Sequence, residues 1–465
     1  MPEQHQETKF TKAEAGLITL FLLSILSFCI IGWQAPPHVP LLLSLFLLII
    51  ISSIKKVPWK TVEEGMIEGV RPGLTPIFIF ILIGALISVW IASGTVPTMM
   101  AYGFSILSGK YFLAAVLLIT AVVGTCTGSS LTTTATIGVA FMGMGTMIGI
   151  NPAWIAGAIV SGAFFGDKMS PLSDTTNLAP TVARIDLFTH IRHMTWTTTP
   201  ALLLSLLLFL FLGNGNAGAI PQEQIEGLHR ALIEHAVVHP VALLPPLLIM
   251  VMAMRRISAI PTLMVGILSG IAVAFMLNHE LKIGDMIGII QNGFTSETGN
   301  KVIDSLLTRG GIQSMMFSVS LIFLSLSMGG LLYHLGIIYQ LMDMIQRFIQ
   351  TRGRLIASTA LSAIGINLLL GEQYLSIILT GNAFVKQYKK LGLARKNLAR
   401  TLEDAGTVVN PLIPWGVSGV FISGVLGVSV FEYAPFAFFC LLCPVITILF
   451  GFTGIGVPYE TKKRS

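Results

Sequence analysis

Long apolar segments recur along the whole chain and limit the folds that it can adopt. Eight of them approach the length that a helix needs to cross a bilayer, roughly 17 to 25 residues. They cover residues 15–33, 39–54, 74–93, 195–212, 237–254, 257–277, 312–333 and 434–453. Only 11% of the residues are charged, whereas soluble domains contain about 25%. The sequence therefore predicts an all-α polytopic membrane protein with no soluble catalytic domain.

The sequence contains no motif that is typical of enzymes or of ATP-driven pumps. There is no Walker A lysine, no nucleotide-binding fingerprint and no Ser/His/Asp arrangement on a soluble domain. Cys440 and Cys443 have CxxC spacing, but they lie in an apolar segment without a second pair, which favours packing over a metal site. We expect a secondary transporter that is not an enzyme and has no cofactor and no nucleic-acid partner.

The distribution of Lys and Arg predicts an orientation, because cytoplasmic loops of membrane proteins collect these residues. In a topology with ten spans, two hairpins and both termini inside, 22 of the 28 Lys and Arg lie in inner segments and five in outer segments. Lys168 is left within the membrane. The basic segment 386–400 is then a cytoplasmic loop.

Three pairs of segments indicate an internal repeat. Arg71-Pro-Gly and Arg309-Gly-Gly each open a long apolar segment, 238 residues apart. The Gly spacing of 128–138 returns in 371–381 at an offset of 243, and Gly-x-x-x-Ser-Pro-Leu at 166–172 returns as Gly-x-x-x-Asn-Pro-Leu at 406–412 at an offset of 240. In the proposed topology the two halves enter the membrane from opposite faces, which makes the repeat inverted.

The repeat predicts the organisation of the chain. We expect re-entrant helical hairpins at 111–149 and 353–385, and transmembrane helices broken at Pro171 and at Pro411 and Pro414 over 151–183 and 400–430. The predicted units are two N-terminal transmembrane helices (1–56), a first inverted repeat (57–212), an outer loop with connecting helices (213–279), a second inverted repeat (280–453) and a cytoplasmic tail (454–465).

Five acidic residues fall at membrane depth in this topology, namely Asp167, Asp174, Glu372, Glu403 and Asp404. A carboxylate near the bilayer centre costs at least about 2.5 to 3.5 kcal/mol, so such residues normally face an ion, a partner or an internal path. All five lie on predicted hairpin tips or broken helices. A buried carboxylate can hold either a proton or Na⁺, which is the minimum chemistry of an antiporter.

These observations define the expected site. Hard cations take oxygen ligands, and we expect Na⁺ at Asp167, Asp174 and Glu372. Neutral oxygen ligands are expected from the polar residues of the breaks and tips: Ser170, Ser173, Thr175, Thr127, Ser129, Ser130, Thr133, Thr407 and Asn410. Lys168, Glu403 and Asp404 are expected as supporting charges.

Each assignment has a structural alternative. Asp167 or Asp174 can instead have a purely structural role, in a salt bridge with Lys168 or with a partner of Glu403 or Asp404 that holds the broken helix in place. Lys168 is favoured as an internal counter-ion over a ligand of an organic anion. Glu403 and Asp404 lie close to the predicted cytoplasmic end and can form a solvated helix-end pair. The hydroxyls of residues 127–134 can instead have a purely local role, as hydrogen-bond partners of the nearby backbone.

The segment Gly-Asp-Lys-Met-Ser-Pro-Leu-Ser-Asp-Thr-Thr-Asn at 166–177 resembles the NhaC family of Na⁺/H⁺ antiporters, and the segment 403–416 is also of that type. The resemblance covers nearly the whole chain. It implies exchange of Na⁺ for H⁺ across a bacterial plasma membrane by a protein of inverted-repeat, hairpin-containing architecture, often a homodimer. The family also includes a malate/lactate sodium antiporter, so a Na⁺- and H⁺-coupled exchanger of malate and lactate is the second hypothesis. A passive channel is the third, and the repeats argue against it.

Overall fold

The computed structural model describes residues 9–106, 111–216, 227, 230, 232–234, 236–300, 303–304, 307–346 and 349–460. Within these residues the regular elements are helices, accompanied by two isolated β-bridges. In the described part of the chain, six helices are long and apolar enough to cross a membrane, or up to eight if each of two bent helix pairs is one span. The expected class of an all-α polytopic membrane protein is confirmed.

The helices up to residue 216 are α1 (Lys12–Ser27), α2 (His38–Ile54), α3 (Trp59–Val70), α4 (Leu74–Ala92), α5 (Thr95–Ile106), α6 (Phe112–Thr127), α7 (Ser130–Thr133), α8 (Val139–Met147), α9 (Pro152–Met169), α10 (Asp174–Ala183) and α11 (Leu187–Asn216). A π-helical turn, Thr134–Gly138, joins α7 to α8.

The helices of the remaining chain are α12 (Leu244–Met254), α13 (Ala259–Leu277), α14 (Ile283–Asn292), α15 (Ile312–His334), α16 (Ile337–Gln346), α17 (Arg352–Leu370), α18 (Gln373–Lys390), α19 (Arg395–Leu402), α20 (Val417–Leu426), α21 (Val430–Tyr433) and α22 (Phe438–Thr453). A π-helical turn, Glu403–Thr407, continues α19.

Both predicted hairpins are present, and each turns at a glycine. Gly128 ends α6 with φ +66°, and Gly371 ends α17 with φ +68°. Glycine is favoured here because a side chain disfavours positive φ. The next residue in each case caps the returning helix: Ser129 accepts a hydrogen bond from the Thr132 amide, and Glu372 does so at the start of α18.

The two predicted broken helices are also present. α9 ends at Met169, the backbone is extended at Ser170, and α10 begins after Ser173, whose side chain caps it. Pro171 stands between them and prevents a continuous helix. In the second half the chain is extended at Ile413, and α20 starts at a bend of 42° to the preceding helical segment.

The first hairpin packs tightly on the first broken helix. Gly162 and Gly166 of α9 face α6, and a Cβ on Gly166 would lie 2.5 Å from the backbone nitrogen of Thr125. Small residues at such a crossing let two helix backbones touch. This contact holds the end of α9, with Asp167 and Lys168, beside the hairpin.

Segment 386–400 is not the loop that the charge pattern indicated. Helix α18 continues to Lys390 and α19 begins at Arg395, so only 391–394 separate them. Arg400 is buried at 0% exposure and donates through Nη1 to the Gly456 carbonyl at 2.7 Å. The prediction failed at Arg400 because a count of charges does not distinguish a loop arginine from one that a neighbouring segment encloses. The segment 184–193 is likewise helical from Leu187 onward.

Candidate ion-binding site

Four of the five acidic residues expected at membrane depth are buried. The exposed fractions are 7% for Asp167, 2% for Glu372 and 0% for both Glu403 and Asp404. Asp174, the first residue of α10, is exposed. The half-buried Tyr374 lies within electrostatic range of four carboxylates, those of Asp167, Asp174, Glu372 and Glu403. The ends of α9, α10, α18 and α19 therefore converge on one acidic region.

Asp167 is held between the first hairpin tip and the first helix break. Its Oδ2 accepts a hydrogen bond from the Ser130 hydroxyl at 2.7 Å. The Thr176 hydroxyl of α10 reaches back to the end of α9, where it lies 3.3 Å from the carbonyl of Asp167 and 3.0 Å from that of Lys168. Both carbonyls lack the amide partner of a continuing helix because the helix ends here, and that of Asp167 also accepts from the Ser170 amide at 3.1 Å. The break thus brings a carboxylate, hydroxyls and helix-end carbonyls together.

Glu403 provides the corresponding carboxylate from the second half. Its Oε1 accepts a hydrogen bond from the Thr175 hydroxyl at 3.1 Å, and that hydroxyl lies 3.1 Å from the Ser173 hydroxyl. Its Oε2 is buried and has no hydrogen-bond partner among the described residues. A direct hydrogen bond therefore joins Thr175 of the first half to Glu403 of the second.

Lys168 forms an ion pair with Asp404, and both side chains are 0% exposed. Asp404 Oδ1 also accepts from the Thr197 hydroxyl of α11 at 3.2 Å. The pair joins α9, α11 and the π-helical turn after α19. The alternative of a solvated Glu403 and Asp404 pair is wrong, since helix α19 begins five residues earlier than expected and neighbouring helices enclose both side chains. The ion pair of Lys168 is made with Asp404, and Asp167 instead accepts from Ser130.

π-Helical turns occur at both places where the two halves supply site residues. One covers Thr134–Gly138 directly after the first hairpin tip, and the other covers Glu403–Thr407. A π turn inserts one extra residue into a helix and re-aims the side chains around it, and such turns are frequent at functional sites. The turn at Glu403 presents two consecutive carboxylates to two different partners.

The remaining hydroxyls of the first hairpin tip bond locally. The Thr127 and Thr133 hydroxyls lie 3.0 Å apart, and Thr133 donates to the Ser129 carbonyl at 2.9 Å. Ser129 caps α7. The tip touches the first break, since a Cβ on Gly128 would lie 2.6 Å from the Cβ of Leu172.

The second hairpin tip is tied to the second break by two asparagines. Asn410 donates to Asn367 Oδ1 at 2.8 Å and to the Gly371 carbonyl at 3.2 Å, and it accepts from the Ser418 amide at 2.7 Å. The carboxylate of Glu372 accepts from the Leu375 amide at 2.8 Å as a helix cap. Asn410 and Glu372 thus stabilise the backbone around the break and the tip.

The two remaining hydroxyls that were expected as ligands are those of Ser170 and Thr407. The Ser170 hydroxyl accepts a hydrogen bond from the Leu172 amide at 3.2 Å. The Thr407 hydroxyl is buried, with no hydrogen-bond partner in the described part of the chain. Asp167, Asp174 and Glu372 do not form a three-carboxylate group, because the described residues contain no cluster of three His, Cys, Asp or Glu that could hold one ion.

Sequence reasoning missed three residues of this region: Tyr374, Thr197 and Asn367. Asn367 is the one with a usable signal, because an amide in an apolar hairpin arm four residues before a turn glycine normally needs a partner. Thr197 had none, since a single threonine in an apolar helix is common and its contact with Asp404 joins positions 207 residues apart.

The all-α fold, its two hairpins, its two broken helices and the buried carboxylates between them define a secondary active transporter of ions. Residues 162–455 match the model of the Na⁺/H⁺ antiporter family. The chain belongs to this family.

Individual relatives agree with the family match and confirm the resemblance to the NhaC family. The Na⁺/H⁺ antiporter NhaC of Alkalihalophilus pseudofirmus is 50% identical, covering 97% of this chain and 98% of that protein. The protein of the same name from Bacillus subtilis is 44% identical, covering 96% of this chain and 99% of its own. The malate-2H⁺/Na⁺-lactate antiporter of Bacillus subtilis is 32% identical, and the match covers 97% of this chain and 96% of that protein.

Proposed function

We propose that this protein exchanges Na⁺ for H⁺ across a membrane at a site formed by Asp167 and Glu403. The observation that supports the site is that two buried carboxylates, one from each half, lie close enough to interact, and neither forms a salt bridge with a described Lys or Arg. The Ser130 hydroxyl donates to Asp167 and the Thr175 hydroxyl donates to Glu403, while the Ser173 hydroxyl lies beside Thr175 and interacts with Asp167.

The physical argument is that such carboxylates need compensation. An uncompensated carboxylate at membrane depth costs at least about 2.5 to 3.5 kcal/mol. A bound Na⁺ lowers this cost through oxygen ligands, and a proton lowers it by neutralising the group. Both occupants use the same oxygen atoms, so binding of one displaces the other. This competition is what exchange requires.

The Lys168–Asp404 pair is proposed as a fixed internal counter-charge. Lys168 also lies within electrostatic range of Glu403. It therefore reduces the negative potential at the proposed Na⁺ site without occupying it, which limits the affinity for Na⁺ and favours its release. The pair also fixes the end of α9 against the turn that contains Glu403.

The other expected ligands are proposed in supporting roles. Glu372, Asn410, Ser129, Thr127 and Thr133 already hydrogen-bond to nearby backbone or to one another. Ser170 does the same, whereas Thr407 and Asp174 remain candidates for contacts along the ion path. Asp174 is exposed and lies near Asp167, which supports a place at the entrance.

Exchange of malate and lactate is a second candidate, supported by the relative of that name that is 32% identical. The chemistry of the site argues against it, because four carboxylates surround Tyr374 and the nearby Lys168 is already paired. An organic anion would be repelled from this region.

The test of the proposed function uses purified protein in liposomes that contain a pH-sensitive dye and hold a preset proton gradient. Addition of Na⁺ alone should move protons outward or inward according to the Na⁺ gradient. Proton movement that appears only after malate or lactate is added would overturn the plain antiporter in favour of the second candidate.

We also propose that both termini face the cytoplasm of a bacterial plasma membrane. Arg400 is buried and is no longer counted among the residues of the inner segments. The remaining 21 Lys and Arg of these segments still exceed the five of the outer segments. In a cysteine-free variant, an impermeant thiol reagent applied to intact cells should label Lys282→Cys and spare Lys390→Cys. The reverse pattern contradicts this orientation.

The resemblance to the NhaC family supports a homodimer. Mass measurement of the detergent-solubilised protein tests this, and a particle of about one chain plus detergent would contradict it.

A further inference from the structure

A second polar cluster lies near the Lys168–Asp404 pair. It consists of His190 and His193 on α11 and Asn397 and Arg400 on α19. Their exposed fractions are 0%, 5%, 0% and 0%. Four polar side chains so deeply buried in a membrane protein are expensive and mark functional paths more often than packing.

One end of this cluster is closed by hydrogen bonds. His193 Nε2 lies 3.1 Å from Asn397 Oδ1, and Asn397 donates through Nδ2 to the Pro458 carbonyl at 2.8 Å. The C-terminal segment around Pro458 also bonds to the short connection 391–394, which joins the basic ends of α18 and α19, through the Ala394 amide at 3.1 Å. The cluster therefore begins at the basic end of the molecule.

Toward the Lys168–Asp404 pair, several polar atoms of the cluster lack protein partners. Neither ring nitrogen of His190 has a hydrogen-bond partner among the described residues, and the same holds for Arg400 Nε, Arg400 Nη2 and Asp404 Oδ2. Buried polar atoms are nearly always hydrogen-bonded, and leaving one unpaired costs roughly 1 to 3 kcal/mol. Five such atoms in one region indicate bound water, which needs two to four polar neighbours.

The charged groups around His190 come from every side of this region. Lys168 on α9 and His193 on α11 interact with it electrostatically. Arg400 on α19 interacts with His193 and with Asp404, and Cys443 on α22 lies 3.9 Å from the Lys168 amine. His193 is therefore within electrostatic range of His190, and His190 is within electrostatic range of the ion pair.

We propose that His190 is a proton-relay residue that connects the basic end of the molecule with the Lys168–Asp404 pair. Protons would then reach the site by a route through α11 and α19, separate from the ion path at the first helix break. This inference rests on the proposed Na⁺/H⁺ exchange and adds the residue that supplies its protons.

Neutral imidazole suits this task, because one ring nitrogen holds a proton and the other has a free lone pair. A proton from water binds the free nitrogen while the proton on the other nitrogen passes to water near Asp404 and from there to the carboxylate of the adjacent Glu403. The Lys168–Asp404 ion pair is unchanged, the ring is neutral before and after the transfer, and no other reactant is needed. Such a relay requires both ring nitrogens to be free of protein partners, and neither has one among the described residues.

The test compares two exchange modes of the full chain in liposomes. The His190→Gln variant can still hydrogen-bond but cannot pass a proton. We expect its Na⁺-driven proton movement to fall by at least about tenfold at alkaline pH, where protons are scarce, and to recover in part on acidification. Exchange of radioactive ²²Na⁺ for Na⁺ requires no proton and should stay within about twofold of the unmodified protein.

Three outcomes decide the proposal. A selective loss of proton movement supports it, whereas equal loss of both modes, or loss of neither, overturns it. The His190→Asn variant carries the same expectation if glutamine does not fit the site. His334→Gln is the matched control, because His334 bonds through Nδ1 to the Gly330 carbonyl on α15 and should leave both modes unchanged. Absence of proton movement in the unmodified protein would instead overturn the proposed function itself.

Discussion

Two aspartates seven residues apart have different surroundings because the helix break separates them. Asp167 is 7% exposed and accepts a hydrogen bond from Ser130, whereas Asp174 is exposed at the start of α10. An acidic residue in the first turn of a helix is favourable by itself, since it faces the positive end of the helix dipole. Burial therefore favours Asp167 as the group that binds Na⁺ or a proton.

The two aspartates should respond differently to loss of charge. Asp167→Asn is expected to lower Na⁺-driven proton movement in liposomes by at least about a hundredfold, because its amide can neither release a proton nor balance Na⁺. Asp174→Asn should lower it by less than about tenfold. Equal and complete loss in both variants, with unchanged thermal stability, would contradict the proposed site and restore Asp174 to it.

The ion pair between Lys168 and Asp404 should be sensitive to loss of either partner. Breaking a buried pair by removing one partner costs about 3 to 5 kcal/mol, because the remaining charge stays buried. Lys168→Met and Asp404→Asn are therefore each expected to lower the unfolding temperature in detergent markedly. The double variant should be more stable than the sum of the two changes predicts. Additive losses would show that the two side chains do not depend on each other.

At the scale of elements, each hairpin tip rests on the helix break of its own half. A Cβ on Gly128 would approach Leu172, and a Cβ on Gly371 would lie 3.0 Å from the Trp415 carbonyl. Both glycines have positive φ, so a side chain would meet backbone strain as well as a close neighbour. The tips therefore fix the geometry of the breaks that supply the proposed ligands.

Substitution of the tip glycines should damage transport and stability together. Gly128→Ala and Gly371→Ala are each expected to destabilise the protein by at least about 1 to 2 kcal/mol, from the left-handed backbone alone. Thermal unfolding and exchange in liposomes measure the two effects. Gly365→Ala in α17 is the control, since a Cβ there meets nothing within 4 Å and should leave stability and exchange unchanged. Wild-type behaviour of both tip variants would contradict this role.

The elements were predictable where local signals exist. The turn glycines, Pro171 and the apolar segments located the hairpins, the breaks and most spans to within a few residues. The π-helical turn at Glu403–Thr407 was not predictable, because a single inserted residue leaves no recognisable change in the composition or in the spacing of apolar residues. The early start of α19 was missed for a related reason, since the basic residues before it indicated a loop.

At the scale of the whole molecule, the site depends on contacts between the halves. Lys168 meets Asp404 and Thr175 meets Glu403, pairs that are 236 and 228 residues apart in sequence. The sequence named every charged member of these pairs as a residue at membrane depth. It could not pair them, because the pairing follows from how the two halves pack. Relative movement of the halves would open or close the site, as in other transporters built from repeats.

Shared occupancy of Asp167 and Glu403 predicts a defined dependence on pH. As pH falls, protons occupy the carboxylates and Na⁺ must displace them, so the Na⁺ concentration for half-maximal exchange should rise. For one competing proton the increase approaches about tenfold per pH unit. Initial rates over a series of Na⁺ concentrations at several pH values measure this. A half-maximal concentration that is independent of pH would indicate separate sites.

The most direct measurement is proton release on Na⁺ binding, made with detergent-solubilised protein in a weakly buffered solution. Addition of Na⁺ should acidify the solution in proportion to the amount of protein. A variant with both Asp167→Asn and Glu403→Gln should release no protons, whereas the exposed Glu63→Gln should behave like the unmodified protein. Na⁺ binding without proton release, or undiminished release by the double variant, would contradict the claim that both ions share this site.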